Sequence, residues 1–172
     1  MASASLTLLF LIGSVIASVA SGDGCSSPYQ KVGRWCIFVN ITAPAEGPGR
    51  PINWLEARAS CRKSDGDLVT FEEQKKLFAI SEYISLNFRA ETQGGWVYWV
   101  GALGSNREWK WVNNRPMNLL SNIWLPDQPS VTPNTQHGRL VPADKVHGRR
   151  YLLSADGATS HSPGHICERE RD

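Results

Sequence analysis

Helical patterns in the first half of this 172-residue chain give way to β patterns from Trp96 onward, and that segregation predicts the α+β fold class. Three observations carry it. Two stretches place apolar residues at helical spacing, around Trp54–Cys61 and Leu77–Phe88. The stretch Trp96–Leu103, WVYWVGAL, is apolar on both parities, as a strand covered on both faces is. Residues 114–136 show no periodicity and hold four prolines, and a loop this long inside a compact domain is a candidate binding segment.

Composition excludes several classes. At 41% hydrophobic and 20% charged residues the chain can build a packed core and is not a disordered segment. Eighteen basic side chains against sixteen acidic ones leave +2, too weak a field to argue for nucleic acid or an anionic membrane as partner. Seven Trp suit either a core of short elements or a recognition surface. Leu6–Val19 is an uncharged apolar run, followed by small residues including Ala20 and Ser21, so residues 1–20 read as a cleaved secretory leader. The run is shorter than the roughly 20 residues of a spanning helix, so no membrane insertion is expected and the destination is extracellular. There, Cys25, Cys36, Cys61 and Cys167 imply two disulfides in one of three pairings. No CxxC spacing supports zinc. Asn40-Ile41-Thr42 is a glycosylation sequon, which matters only after secretion.

The elements follow in order. Arg34–Asn40 reads as a strand, and residues 43–51 as a Pro/Gly loop. Trp54, Ala57 and Cys61 share one face of a first helix that Asn53 can cap and Gly66 follows. Thr70 and Glu73 have capping-box spacing before a second helix, whose Leu77, Ile80, Ile84 and Phe88 form the buried stripe. Glu72, Lys75 and Lys76 then form its solvated face. In REWKWVNN (107–114), Trp109 and Trp111 share a face opposite Lys110. GRLVPA, RRYLLSA and GHICERE read as three closing strands, and the last residues, ERERD, as a charged end that frays. His161 and His165 flank Pro-Gly in extended chain, about 13 Å apart and too far for one ion, so they read as exposed loop histidines. Arg149-Arg150 reads as a solvated hairpin flank. No nucleophile with a placed base and no phosphate loop is legible, so the chain reads as non-enzymatic.

The order of these motifs resembles the C-type lectin-like domain. The early Cys25 and Cys36 enclose Trp35 before CIF; WLEARASC (54–61) is followed by GDLV (66–69); YWVGAL (98–103) is similar to the family's core WIGL segment. EWKW, a Gln-Pro element and a final ICE complete the likeness, which spans Cys25–Glu168. Small secreted single-domain lectins of invertebrates are the nearest type. The resemblance implies two helices packed on antiparallel sheets with a long binding loop, a domain over residues 25–168 and a charged end at 169–172. It implies the disulfides Cys25–Cys36 and Cys61–Cys167. A further family disulfide, which would brace the long loop from near Gly138 to near Thr159, is missing as a pair.

In sugar-binding members the loop holds calcium through side chains that also meet sugar hydroxyls. Mapped onto this chain, the family tripeptide falls on Gln128, Pro129 and Ser130, with Pro129 as the family's cis proline. The nearby Glu falls on Gln136, and the Asn-Asp pair on Ala155 and Asp156. Calcium seeks six to eight oxygens and binds more tightly as carboxylates are added. Gln128 and Asp156 are the candidate metal ligands here, Asp156 is the single mapped carboxylate, and Asp127 enters only through a register shift. Calcium is therefore a doubtful cofactor. Trp124 could stack on a sugar, although core packing is the stronger alternative. The leading expectation is a glycan-binding protein, with a slight lean to galactose-type ligands, recognising microbial or cell-surface glycans in innate immunity. The alternative is a calcium-independent module that binds an extracellular protein or matrix. Any agglutinating role would require a homo-oligomer, since one weak site gives no avidity.

Overall fold

The computed structural model describes residues 24–41, 50–105, 108–129, 136–143, 151–157 and 160–171. The leader, Thr42 of the sequon, most of the Pro/Gly loop, Ser130, Arg149-Arg150 and Thr159 lie outside the described residues.

Eleven elements are described: β1 (Gln30–Val32), β2 (Trp35–Ile41), α1 (Trp54–Arg62), β3 (Asp67–Leu68), α2 (Gln74–Asn87), α3 (Arg89–Gln93), β4 (Tyr98–Ser105), β5 (Glu108–Trp111), β6 (Gln136–Pro142), β7 (Tyr151–Gly157) and β8 (Gly164–Arg169). The strands run β1-β2-β8-β4-β6-β7, with β3 on β8 and β5 on β4. Two features depart from the expected pair of helices on antiparallel sheets. A short third helix, α3, continues the chain beyond α2, and β4 meets β8 in parallel through Tyr98↔Gly164 and Trp99↔His165.

β4 is the centre, buried on both faces as its two apolar parities require. Tyr98, Val100 and Ala102 enter a large core with Leu77, Ile80 and Ile84 of α2. Trp99 enters a smaller one with Trp54, Leu68 and both disulfides. Those bonds are Cys25–Cys36 and Cys61–Cys167, the second tying α1 to β8. Asn53 and Glu56 cap α1 reciprocally, and Trp54 donates its Nε1–H to the Val100 carbonyl at 2.8 Å. Gly66 has no room for a side chain, since a Cβ there would stand 2.2 Å from Tyr29 Oη and 2.4 Å from the Glu168 carbonyl. Trp109 and Trp111 are both buried while Glu108 and Lys110 are exposed, the alternation read in β5.

Several expectations need correction. Thr70 and Glu73 form no capping box. The N-cap of α2 is Glu73, without a side-chain cap bond, because its carboxylate pairs with Arg34 and Lys75. Thr70 instead donates its backbone N–H and hydroxyl to Glu168 Oε1 at 2.7 and 2.8 Å. Lys76 is not on a solvated face; its side chain is 8% exposed and its ammonium pairs with Glu168. The charged end is not free at its start, because β8 reaches Arg169, which pairs with Cys36 in β2. His165 is not an exposed loop residue but lies buried within β8, whereas His161 is exposed.

Candidate functional site in the long loop region

The site forms where β6, β7 and the segment before Pro129 meet. β6 and β7 pair in antiparallel register, with His137↔Asp156, Gly138↔Ala155 and Arg139↔Ser154. Side chains alternate across the sheet, so residues 137, 139, 154 and 156 share one face and Gly138 and Ala155 the other. Arg139 and Asp156 are diagonal neighbours on that face and form an ion pair. Both are about four-fifths buried, with side-chain exposures of 23% and 21%. The guanidinium also lies 5.6 Å from the centre of the Trp99 ring. Beside it, His137 stacks on Trp54 at 4.4 Å and meets Trp99 edge-on at 6.3 Å. Burial lowers the His137 pKa to about 4 and keeps the ring neutral at physiological pH.

The loop is fastened to β7 through its backbone. Leu125 N–H donates to the Leu153 carbonyl at 2.9 Å, and Trp124 bridges Leu153 in parallel. A turn follows in which Asp127 takes φ 63° and Gln128 N–H donates to the Leu125 carbonyl at 3.1 Å. The Gln128-Pro129 bond is cis. Gln128 Oε1 then accepts the Ala155 N–H at 3.0 Å.

The structure thus brings Gln128 to Ala155, the chain neighbour of Asp156, and sets Gln136 at the near end of β6, opposite Gly157. Trp124 is a correction as a stacking surface. It is 5% exposed and packs edge-on against Trp109 at 5.0 Å, so its ring belongs to the core. Asp127 is exposed on the turn, and Ser130 lies outside the described residues. The missing brace has a packing counterpart at Gly138, where a Cβ would approach Ala102 Cβ to 2.5 Å. Sequence reasoning missed Arg139. The signal was present: the alternation of GRLVPA and of RRYLLSA, continued one residue to Asp156, puts Arg139 and Asp156 on one face once the strands are paired.

These residues do not fit calcium. Asp156 Oδ1 accepts from Gly157 N–H at 2.8 Å and from Ser160 Oγ at 2.6 Å, and Oδ2 meets Arg139. Gln128 Oε1 is engaged by Ala155. The single mapped carboxylate is therefore neutralised by a guanidinium, whose charge opposes a divalent ion at the same oxygens. A second place, where Cys61, His165 and Cys167 approach one another within 4.8 Å, offers no thiolate, because the two cysteines are bonded to each other.

Comparison with known proteins agrees with this architecture. The Lectin C-type domain model matches residues 50–146. The chain is 27% identical over 143 residues to C-type lectin 37Da of Drosophila melanogaster, covering 77% of this chain and 73% of that protein. It is 27% identical over 107 residues to C-type mannose receptor 2 of Rattus norvegicus, covering 62% of this chain but spanning only 6% of the receptor. Among solved structures, the Ca2+-independent C-type lectin SPL-2 from Saxidomus purpuratus superposes with a TM-score of 0.65 at 19% identity, over 87% of this chain and 96% of that one. With the family model covering more than half of its length, this chain belongs to the C-type lectin domain family.

Proposed function

We propose that this chain is a secreted carbohydrate-binding module that works without calcium and catalyses no reaction, its leader over residues 1–20 removed and its binding domain spanning residues 25–168. The observation that carries the reading is the Arg139–Asp156 pair at the position the family gives to a metal-bound carboxylate. A guanidinium held by strand pairing and by Asp156, which Ser160 fixes in turn, presents planar donors of the kind that meet vicinal hydroxyls. Gln128 and Gln136 flank this pair, Ser130 completes the family tripeptide in sequence, and the Gln-Pro element leans slightly towards galactose-type ligands. That the same fold occurs in a lectin described as Ca2+-independent supports the reading. Glycans of microbial or host-cell surfaces are the fitting ligands, with innate defence as the role, and Asn40 is the position for an N-linked glycan.

A second reading, a module that binds another extracellular protein, is favoured by Phe78 and Leu86. These are 46% and 62% exposed, two helical turns apart on α2. A glycan array probed with and without EDTA separates the two. The first reading predicts saturable sugar binding that EDTA leaves intact and Arg139→Ala weakens at least tenfold, since truncating one partner of a largely buried charge pair leaves the other unpaired. An array without any binding, from a folded protein, would leave the protein-binding module standing.

A further inference from the structure

His165 is a buried polar group that the fold does not employ. It lies in β8 at 1% exposure, and neither ring nitrogen has a hydrogen-bond partner among the described residues. Buried polar groups are almost always hydrogen-bonded, so an imidazole left without a partner points to an ion, a water or a redox role. The two indoles of the small core are already committed. Trp54 Nε1–H donates to the Val100 carbonyl at 2.8 Å, and Trp99 Nε1–H to the Ile52 carbonyl at 2.7 Å. What the ring does meet is sulfur. His165 and Cys167 are two positions apart in β8 and share one face of the strand. Cys61 reaches that face from the buried side of α1. A ring nitrogen and the two sulfur atoms all lie within 4.8 Å of one another, and the three residues are 0–1% exposed.

In the oxidised chain these sulfurs are bonded to each other and offer no thiolate. Reduction changes the donor set. A thiolate of an external dithiol attacks one sulfur of the disulfide, the other sulfur leaves as a thiolate, and the second external thiol resolves the mixed disulfide. The external dithiol is oxidised by two electrons, and Cys61 and Cys167 each end as a thiol. A divalent ion then displaces the two thiol protons and bonds to both sulfurs and to His165. Two thiolates and one imidazole are a ligand set for zinc, with a water to complete the tetrahedron. With zinc–sulfur bonds of about 2.3 Å and zinc–nitrogen bonds of about 2.0–2.1 Å, the ligand atoms stand about 3.6–3.8 Å apart, so the ring and sulfurs need only small shifts. Charge selects the ion as well. Two thiolates cancel the charge of Zn²⁺, whereas monovalent copper would leave a net negative charge buried among Trp54, Leu68 and Trp99. Calcium takes oxygen ligands and does not suit this set.

We infer that Cys61, Cys167 and His165 form a zinc site in the reduced chain, so that α1 and β8 are clasped by a disulfide when oxidised and by a metal ion when reduced. The inference does not depend on the glycan-binding reading. The test uses the full chain, reduced without air by a phosphine, which does not compete for the metal as a thiol does. It is titrated with Co²⁺ as a coloured stand-in for zinc. Sulfur-to-cobalt charge-transfer absorption that saturates at one equivalent is expected, with zinc displacing the cobalt, and none in the oxidised chain. Zinc should also raise the thermal midpoint of the reduced chain. His165→Phe keeps the bulk of the ring and loses its nitrogens, and should weaken cobalt binding at least about tenfold. Cys25→Ser with Cys36→Ser should leave it intact. Absorption that survives Cys61→Ser with Cys167→Ser, or that His165→Phe leaves unchanged, overturns the site, as does a reduced chain that zinc does not stabilise. If reduction alone unfolds the chain, zinc should refold it, and a chain that binds the metal while unfolded overturns the site.

Discussion

Glu168 shows how one side chain reorganises what the local sequence suggests. It takes two hydrogen bonds from Thr70 and the charge of Lys76, and so pins the start of α2 to the last strand. The spacing of Thr70 and Glu73 suggested a local cap, but that pattern cannot register an acceptor 98 positions away. Glu168→Gln keeps the acceptors for Thr70 and leaves the 8%-exposed Lys76 without its counter-charge. Unfolding in urea should show a loss of about 1–3 kcal/mol, less than for a fully buried pair because Glu168 is 22% exposed. The two buried histidines make a separate prediction. Burial lowers the pKa of both His137 and His165 to about 4, against an ordinary 6.5. Above 6.5 the rings are neutral in both folded and unfolded chains and contribute nothing to pH dependence. As pH falls from 6.5 to about 4 only the unfolded chain takes up these protons, so stability is lost over that window. The loss is up to about 1.4 kcal/mol per histidine per pH unit. A pH series of urea midpoints should steepen over this range, and His137→Gln should flatten it. His165 was misread because the Pro-Gly before it marks the turn that ends one step earlier, at the first residue of β8.

Among the elements, the β6–β7 ladder and the loop fastened to it carry the proposed site. The sequence made the loop legible as a loop, through its prolines and its lack of period, and the family likeness located Gln128 within it and Asp156 beyond it, on β7. It did not make the partners of those residues legible. Which donor reaches Asp156 depends on strand register, and the register of two strands separated by residues 143–150 is not written in either strand alone. Once the register is given, Arg139 falls diagonal to Asp156 and the charge it supplies changes the reading of the site. The fate of Trp124 has a similar cause. Loop position suggests exposure, but the parallel bridge to Leu153 turns its ring onto Trp109.

For the whole molecule, the sequence pattern was read well where burial is periodic. The buried face of α1, the stripe of α2 as far as Ile84, the doubly covered β4 and the alternation of β5 all follow from apolar spacing, while Phe88, read as the last member of that stripe, is the half-buried C-cap. The parallel contact of β4 with β8 and the third helix were not, because neither has a local signature. The two disulfides act on different scales. Cys61–Cys167 closes a loop of 106 positions and Cys25–Cys36 one of 11. Constraining the unfolded chain predicts about 4–5 kcal/mol for the first and about 3 kcal/mol for the second. Cys61→Ala with Cys167→Ala should therefore lower the urea midpoint more than the Cys25→Ala, Cys36→Ala pair. Equal losses would mean that local packing, not loop length, sets the effect. In the proposed function a guanidinium has taken the place of calcium in a glycan-binding domain. Glycan binding measured in EDTA and again in excess calcium tests it most directly. The same affinity is expected in both, lost in Arg139→Ala; binding that EDTA abolishes and calcium restores would overturn the calcium-free site.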